Sequence, residues 1–565
     1  MHIGQLLLRE DPTQKNGLCS QLYFCCSTCK KGAPFRTSPS AAGAIRGKPY
    51  DVNRRSAVAA VEIGTGHQGL SDLCSIMNMP SPVSTSAYAQ HSRKLSDLSD
   101  KMAKTEMKAA GNRLRKQLME DDASITDTSI IDVCVTFDGT WSKRGYTANH
   151  GVGIVISVVT GEVLDCEALS KVCGECNRRN RRDKESVEYK LWYDNHRSNC
   201  KQNYTGSSSS METAIAQIIW SRSLEIHNFR YMYMVCDGDS KSHNDVKNIY
   251  ADEPGNDPQV EKRDCVGHIG KRMYRALDNF RTKTKGKLSD GKSVGGAKGR
   301  LTGGQNGAVG RLSDLYRKAI YENVDPNARS REEVSVGVAT MHKAIQAVLH
   351  HSTKIVDDDV RHKYCPLDGF CQYKTTGSME NKDHHLDPIF LDLLRPIFDR
   401  LSESHLLERC IGGYSQNQNE SFNSLIWKRC PKHTWRGPLL IKLAVNLSVL
   451  QWSCGAFIGR SKIMTGFRLD QGKYTCEASV VKDSQRLSHS LRKATELEKK
   501  IRVAEVKRKD KEERSKKKRE GKTYETAAFA CSLTPSSESE AETSDDSEDD
   551  EPLVFFQKLS TLKKT

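Results

Sequence analysis

Val133-Cys134-Val135-Thr136-Phe137-Asp138-Gly139-Thr140-Trp141 reads as a strand whose apolar run ends on a carboxylate. Two later phrases have the same character. Tyr231-Met232-Tyr233-Met234-Val235-Cys236-Asp237-Gly238-Asp239 is a second β-rich run stopping on Asp, and Gln416-Asn417-Gln418-Asn419-Glu420-Ser421-Phe422-Asn423 sets a carboxylate at the opening of a helical pattern. Taken together, Asp138, Asp237 and Glu420 are candidate ligands for hard divalent cations, which stabilise both the attacking and the leaving oxygen of an in-line displacement at a phosphodiester. Singly, each has an ordinary alternative, because Asp-Gly after a strand is a common turn and Asp before a helix a common N-cap. Asp239 is the rival for the second position.

The order of elements around these residues is informative. The strand carrying Asp138 is followed by Val152-Gly153-Ile154-Val155-Ile156-Ser157-Val158-Val159, a Thr160-Gly161 turn and Val163 to Leu169, three strands of a meander. A helix from Met211 to His227, with Ala214, Ile215, Ile218, Ile219 and Leu224 on one face, leads into the strand ending at Asp237. This β-β-β-α-β order is that of an RNase H-like α/β fold, in which the first and fourth strands lie side by side and bring the two Asp residues together. Glu420 follows only after helical patterns at Arg272–Thr282, Val309–Tyr321, Val334–Leu349 and Pro388–Glu403, so the region of about 266–404 is expected to be a helical insertion within a domain of 130–455.

On either side the chain changes character. Residues 1–48 are expected to be loop-like, with a Cys26/Cys29 pair that reads either as half of a truncated zinc module or as unligated thiols, and 49–129 to be a helical accessory region. A basic helical region, 456–522, contains Lys507-Arg508-Lys509 and Lys516-Lys517-Lys518-Arg519, which read either as a solvated helix or as signals for nuclear import and phosphate contact. The acidic, Ser-rich tail, 523–565, is expected to be disordered.

At 565 residues with 37% apolar content, the chain has room for several cored domains. A net charge of +16 despite the acidic tail favours a polyanionic partner, of which nucleic acid is the commonest. No run of about 18 apolar residues and no signal-peptide pattern is present, so an intracellular, non-membrane protein is expected. Nineteen cysteines, an odd number without a dense framework, point to metal ligands and buried thiols over disulfides.

Cys173-x2-Cys176 followed by His196-x3-Cys200 fits a closed, structural zinc site of three thiolates and one imidazole. Cys265 and His268 offer two further ligands at the start of a basic helix, with His362, Cys365 and Cys371 as available partners, although a core Cys and a hydrogen-bonded His are the plain alternative. Lys292 to Arg300, rich in Gly and Lys, lacks the spacing of a nucleotide-binding loop and reads as a flexible contact to DNA backbone.

Five phrases in this order resemble the Mutator-like transposase domain. They are Phe137-Asp138-Gly139-Thr140-Trp141, Asn203-Tyr204-x-Gly206-Ser207-Ser208 leading to Met211-Glu212, Asp237-Gly238-Asp239-Ser240-Lys241, Cys265-x2-His268, and Gln416-Asn417-x-Asn419-Glu420-Ser421-x-Asn423. The resemblance runs from about Tyr50 to about Cys476 and is nearest to the animal forms related to Kolobok elements. It implies a DDE catalytic domain using Mg²⁺ or Mn²⁺ on the terminal inverted repeats of a DNA transposon, with Asp138, Asp237 and Glu420 as metal carboxylates. It also implies double-stranded DNA at transposon ends and target as partner, a homo-oligomer, nuclear localisation, and Cys265/His268 as a structural element of the insertion. The alternatives are a domesticated or inactive derivative that binds DNA or chromatin without cutting, and a repair or RNA nuclease on the same fold.

Overall fold

The run containing Asp138 becomes strand β4 (Ile131–Trp141), at the centre of a five-stranded mixed sheet. A computed structural model describes residues 4–40, 49–143, 147–179, 183–237, 241–251, 258–326, 328, 330–365, 371, 373–374, 385–434 and 436–493. The sheet follows from the meander: β5 (His150–Ser157) pairs antiparallel with β4, and β6 (Val163–Ser170) antiparallel with β5. Strand β7 (Phe229–Cys236) returns through a helix to lie parallel to β4 on its other side, and β8 (Glu261–Asp264), short and unanticipated, extends the sheet parallel to β7. The order is β6-β5-β4-β7-β8.

Before the sheet come three more strands, β1 (Leu6–Asn16), β2 (Cys19–Cys26) and β3 (Gly32–Arg36), in a separate antiparallel sheet. Within residues 6–36 this corrects the loop-like expectation for the amino-terminal segment. Their side chains are mostly exposed, so the alternation that marks a half-buried strand is missing from the sequence. Among the described residues the cysteines of this segment join no group of three or more metal-ligating side chains. Helices α1 (Asp51–Glu62), α2 (His67–Ile76) and α3 (Thr85–Asp121) follow, α3 starting at Ser84, whose hydroxyl accepts from the Ala87 amide.

Both faces of the main sheet are covered, which is why β5 is buried along its whole length and reads as a continuous apolar run. Beyond α4 (Gly174–Arg179) and α5 (Val187–Arg197), helix α6 (Met211–His227) covers one face. Its Ile215, Ile219 and Trp220 pack against Val133, Val135 and Phe137 of β4. Trp220 meets Phe137 and Tyr231 edge-on and donates its indole N–H to the Tyr231 carbonyl. The approach is close because β5 carries Gly151 and Gly153; a Cβ at Gly153 would lie 2.4 Å from Ile215 Cγ2.

Between β7 and the return to the other face run α7 (Lys241–Val246), α8 (Val266–Lys283), α9 (Ala308–Tyr321), α10 (Arg331–His351), α11 (Asp358–Arg361), α12 (Ile389–Arg400) and α13 (Ser404–Cys410). From α8 onward these, α11 excepted, share a core of their own, built on residues such as Met273, Leu312, Tyr316, Met341, Phe390 and Phe398. In the Gly- and Lys-rich stretch before α9, Lys292 and Lys298 are exposed, but its last residue is not. Arg300 is buried, pairs with Asp290 and Asp387, and lies over the Phe390 ring.

The second face of the sheet is closed by α14 (Asn417–Arg429) and α15 (Pro438–Gly466), whose Phe422, Ile426, Val445 and Val449 pack on Val152, Ile154 and Ile156. Helix α15 bends at Gly455, where φ is +81°. By length and composition α15 could cross a membrane, but 61% of its apolar window is buried inside the protein, against α3 and the sheet, as expected of a core helix. The chain divides at Ser479 into two units, and the described residues of the second, 480–493, are helical. The remainder of the expected basic region and the whole acidic tail lie outside the described residues.

Candidate active site

Strands β4 and β7 run in parallel register, Val135 opposite Met234 and Thr136 opposite Val235. Continued by two residues, that register sets Asp138 level with Asp237 at the carboxyl ends of adjacent strands, roughly 4.8 Å apart in the sheet. On β4 the residues facing α6 are Val133, Val135 and Phe137, so Asp138 points to the opposite side, toward α14.

Helix α14 is fastened there by amides. Gln416, at its N-terminal end, donates to the Phe137 carbonyl at 2.9 Å; Asn419 donates to the Ile154 carbonyl at 3.2 Å; Asn423 donates to Asp138 Oδ2 at 2.7 Å; and Trp427 donates to Thr140 Oγ1 at 2.8 Å. These positions fall on one helical face, and Gln416, Asn419 and Asn423 are buried. The polar phrase around Glu420 is therefore a seam between helix and sheet. Glu420, in the first turn of α14, is the exposed member.

His268, on the first turn of α8, lies between the downstream carboxylates. Its Nδ1 is in ion-pair contact with Asp237 and 3.0 Å from Gln416 Oε1, and its Nε2 is 3.6 Å from Glu420 Oε1. The Cys265 thiol accepts from the Gln416 amide at 3.4 Å. Cys265 and His268 thus belong to the carboxylate site, which corrects the pairing with His362, Cys365 and Cys371. A Cys-x2-His pair is ligand-like in sequence; only the return of the chain at Gln416 reveals its neighbours.

A fourth carboxylate, Glu212, completes the group, and the sequence reading gave it no role. The Asn203-Tyr204-x-Gly206-Ser207-Ser208 phrase explains its position. Asn203 Oδ1 accepts from the Ser170 amide, Tyr204 donates its hydroxyl to Ser210, Ser208 donates to the Ala148 carbonyl, and the Ser208 carbonyl accepts from the Trp141 indole. The start of α6 is thereby pinned to the sheet with Glu212 in its first turn, over Gly139; a Cβ at Gly139 would lie 2.6 Å from Glu212 Cγ. The signal available in sequence was the pairing of a post-carboxylate glycine with a carboxylate at a helix start.

The electrostatics follow from this crowding. Burial, then repulsion from Glu212, Asp237 and Glu420, pushes Asp138 up to about 7, with the Asn423 hydrogen bond opposing. Burial and Asp237 likewise push Glu212 up to about 7. Desolvation would raise Asp237 too, but the His268 contact outweighs it and holds Asp237 below its ordinary value; the His268 hydrogen bond does the same for Glu420. Against its own desolvation, His268 is pushed up to about 10 by these two partners. The imidazolium neutralises part of an all-oxygen, anionic donor set of the kind that hard divalent cations prefer. Asn423 Oδ1, beside Asp138, is buried without a hydrogen-bond partner.

Among the described residues, two groups bring every ligand atom within 4.8 Å of the others, and both are Cys/His. The carboxylates are not among these groups. The first Cys/His group is the expected set Cys173, Cys176, His196 and Cys200. His196 Nε2 is 3.4 Å from both Cys173 Sγ and Cys176 Sγ, and Cys176 Sγ is 3.6 Å from Cys200 Sγ. Glu175 Oε2 accepts from His196 Nδ1 at 3.1 Å, orienting the ring as carboxylates do at zinc sites. Burial opposes ionisation of Cys173, but the amides of Cys176, Lys201 and Glu175 bring it down to about 6, whereas burial and the adjoining thiols push Cys176 up to about 12. The second group is His351, His362, Cys365 and Cys371.

No curated protein and no solved structure is matched by the chain. The model of the Mutator-like transposase family matches residues 2–371, a stretch that takes in Asp138, Glu212, Asp237 and His268 and stops short of Glu420. That family implies transposase activity, DNA binding and use of a divalent metal, in keeping with the acidic site at the ends of β4 and β7. On the extent of this match, the chain belongs to the Mutator-like transposase family.

Proposed function

We propose that the protein is a DDE-type transposase with an RNase H-like catalytic domain, nearest the animal Kolobok-related forms, which cleaves and joins DNA at terminal inverted repeats. The observation that carries this reading is the parallel β4–β7 register, which levels Asp138 with Asp237. Asp138, Asp237 and Glu420 would hold Mg²⁺ or Mn²⁺, with Glu212 as a fourth carboxylate. Bound there, the ions supply positive charge to the reacting phosphate. Asn423 fixes one Asp138 oxygen and leaves the other for a ligand, and His268 holds Asp237 and Glu420 in place through a positive charge that a cation would replace. Lys271 and Arg272, close enough to lower Asp237, extend positive charge beside the site for the DNA backbone. In the proposed sequence, water opens a phosphodiester at the element end, and the freed 3′-hydroxyl attacks a phosphodiester of target DNA, forming a new ester bond as the target's own 3′-oxygen leaves and takes up a proton. A homo-oligomer holding two ends together and a nuclear location complete the reading, and zinc is proposed for Cys173, Cys176, His196 and Cys200.

The test is Mn²⁺-dependent nicking of plasmid DNA by the purified protein, by Asp138→Asn and by Glu212→Gln. Nicking lost in Asp138→Asn with DNA binding retained supports the assignment, and undiminished nicking overturns it. Glu212→Gln is expected to lose activity at Mn²⁺ concentrations that saturate the wild type and to regain part of it at higher Mn²⁺. A wild type that binds DNA without nicking would instead indicate a domesticated binding protein.

A further inference from the structure

We infer that the helical insertion carries a second, structural zinc ion, held by His351, His362, Cys365 and Cys371 and separate from both the carboxylate site and the Cys173 group. The four ligand atoms all lie within 4.8 Å of one another. They come from the last residue of α10, the residue after α11, and the segment beyond it. Both thiols and the His362 ring are buried.

Two features distinguish this arrangement from ordinary hydrogen bonding. His362 Nδ1 is 3.7 Å from Cys365 Sγ and 3.2 Å from Cys371 Sγ. The two thiols are also in hydrogen-bond contact with each other, so a ring nitrogen and two sulfurs converge on one point. His362 Nε2 is buried with no partner, which leaves Nδ1 as the polar anchor of the ring. A cation among the four atoms accounts for that convergence. With Zn–S near 2.3 Å and Zn–N near 2.0 Å, tetrahedral geometry sets N···S edges at about 3.5 Å, the middle of the observed pair. The expected set at Cys173 shows the same pattern, one ring nitrogen 3.4 Å from each of two thiols.

The packing supplies a reason for a metal here. Ala347, Cys365 and Cys371, with Tyr364 and Tyr373 alongside, form a small cluster apart from the main core of the insertion. So few apolar side chains give little burial to fix the chain, and small elements of this kind are commonly held by metal. Helix α10 is anchored in the large core through Met341, Ile345 and Leu349, so zinc at its C-terminal His351 would clamp the segment around α11 to that core. Two thiolates and two imidazoles fill a tetrahedron and leave no open position, which makes the role structural.

The experiment is metal analysis of the full-length protein purified without added metal, beside His351→Ala, His351→Cys and Cys173→Ser/Cys176→Ser. Two zinc per chain are expected in the wild type and in His351→Cys, one in His351→Ala and one in the Cys173/Cys176 variant. A single zinc in the wild type that disappears with Cys173 and Cys176 overturns the inference, as does undiminished zinc in His351→Ala. Should a variant fail to fold, alkylation of the wild type decides: Cys365 and Cys371 are expected to resist iodoacetamide until a chelator is added. Indifference of those two thiols to the chelator would count against the site.

Discussion

The side-chain amide of Asn423 donates to Asp138 Oδ2 at 2.7 Å, joining residues 285 positions apart in the chain. This bond ties α14 to the end of β4 and is the contact that opposes the upward push on Asp138. Replacing Asn423 with Leu leaves the buried carboxyl without its donor. Loss of a buried hydrogen bond to a charged group costs about 1.5–3 kcal/mol. A fall of that size in chemical denaturation, with nicking lost, is expected; unchanged stability would refute the seam as described.

Gln416 makes the neighbouring attachment, to the Phe137 carbonyl, and also touches His268 and Cys265. Gln416→Ala removes the side-chain contacts to Phe137 and His268 from a buried position and keeps the backbone amide that faces Cys265, and about 1–3 kcal/mol of stability should go with the lost contacts. Because the same side chain holds His268, the variant is also expected to require more Mn²⁺ for half-maximal nicking. Normal metal dependence would separate Gln416 from the site.

Gly139 lies under Glu212, so Gly139→Ala pushes that carboxylate aside by placing a Cβ 2.6 Å from its Cγ. Strand β4 itself tolerates alanine, and the expected result is a small stability change with a marked loss of nicking. Full activity would show that the position of Glu212 is immaterial.

The raised carboxyls predict a pH-dependent response to metal. Asp138 and Glu212 ordinarily titrate at 3.8 and 4.5, and each is pushed up to about 7 in the folded protein. Their protons are thus held more tightly in the folded state, which favours folding at low pH; that contribution is lost as pH rises from about 4 through 7. Divalent cations relieve the repulsion that remains above 7, so the thermal shift produced by Mn²⁺ should be larger at pH 8 than at pH 5.5. The double variant Asp138→Asn/Glu212→Gln should abolish the difference, and an equal shift at both pH values in the wild type would rule the explanation out.

At the Cys173 group, Glu175 accepts from the distal nitrogen of His196. Partners of this kind are typically worth about 10–100-fold in metal affinity. Glu175 is largely exposed, so Glu175→Gln is expected at the lower end, about tenfold weaker zinc binding in a competition titration. Unaltered affinity would show that the contact does not orient the ligand.

Much of the sheet was legible in the sequence because strand and helix periodicity are local. Buried on both faces, β5 reads as a continuous apolar run and β4 and β7 as largely apolar ones, and the turn and helix between the strands gave their order. The strands of residues 6–36 were not legible, since their exposed side chains carry no period-two pattern. Strand β8 escaped notice for a related reason: its four residues, Glu-Lys-Arg-Asp, are all charged.

The site divides along the same line. By itself the sequence determined which carboxylates end strands or open helices, and which Cys and His residues are spaced closely enough to share one metal, because those properties depend on neighbours within a few turns. Only the tertiary structure decided that Glu212 sits over Gly139, that His268 lies between Asp237 and Glu420 instead of joining Cys365 and Cys371, and that His351 completes the group those cysteines belong to. Each of those juxtapositions is made by packing between elements far apart in the chain. No spacing rule along the sequence encodes that distance, because it is fixed by which helix faces close over the sheet and over the core of the insertion.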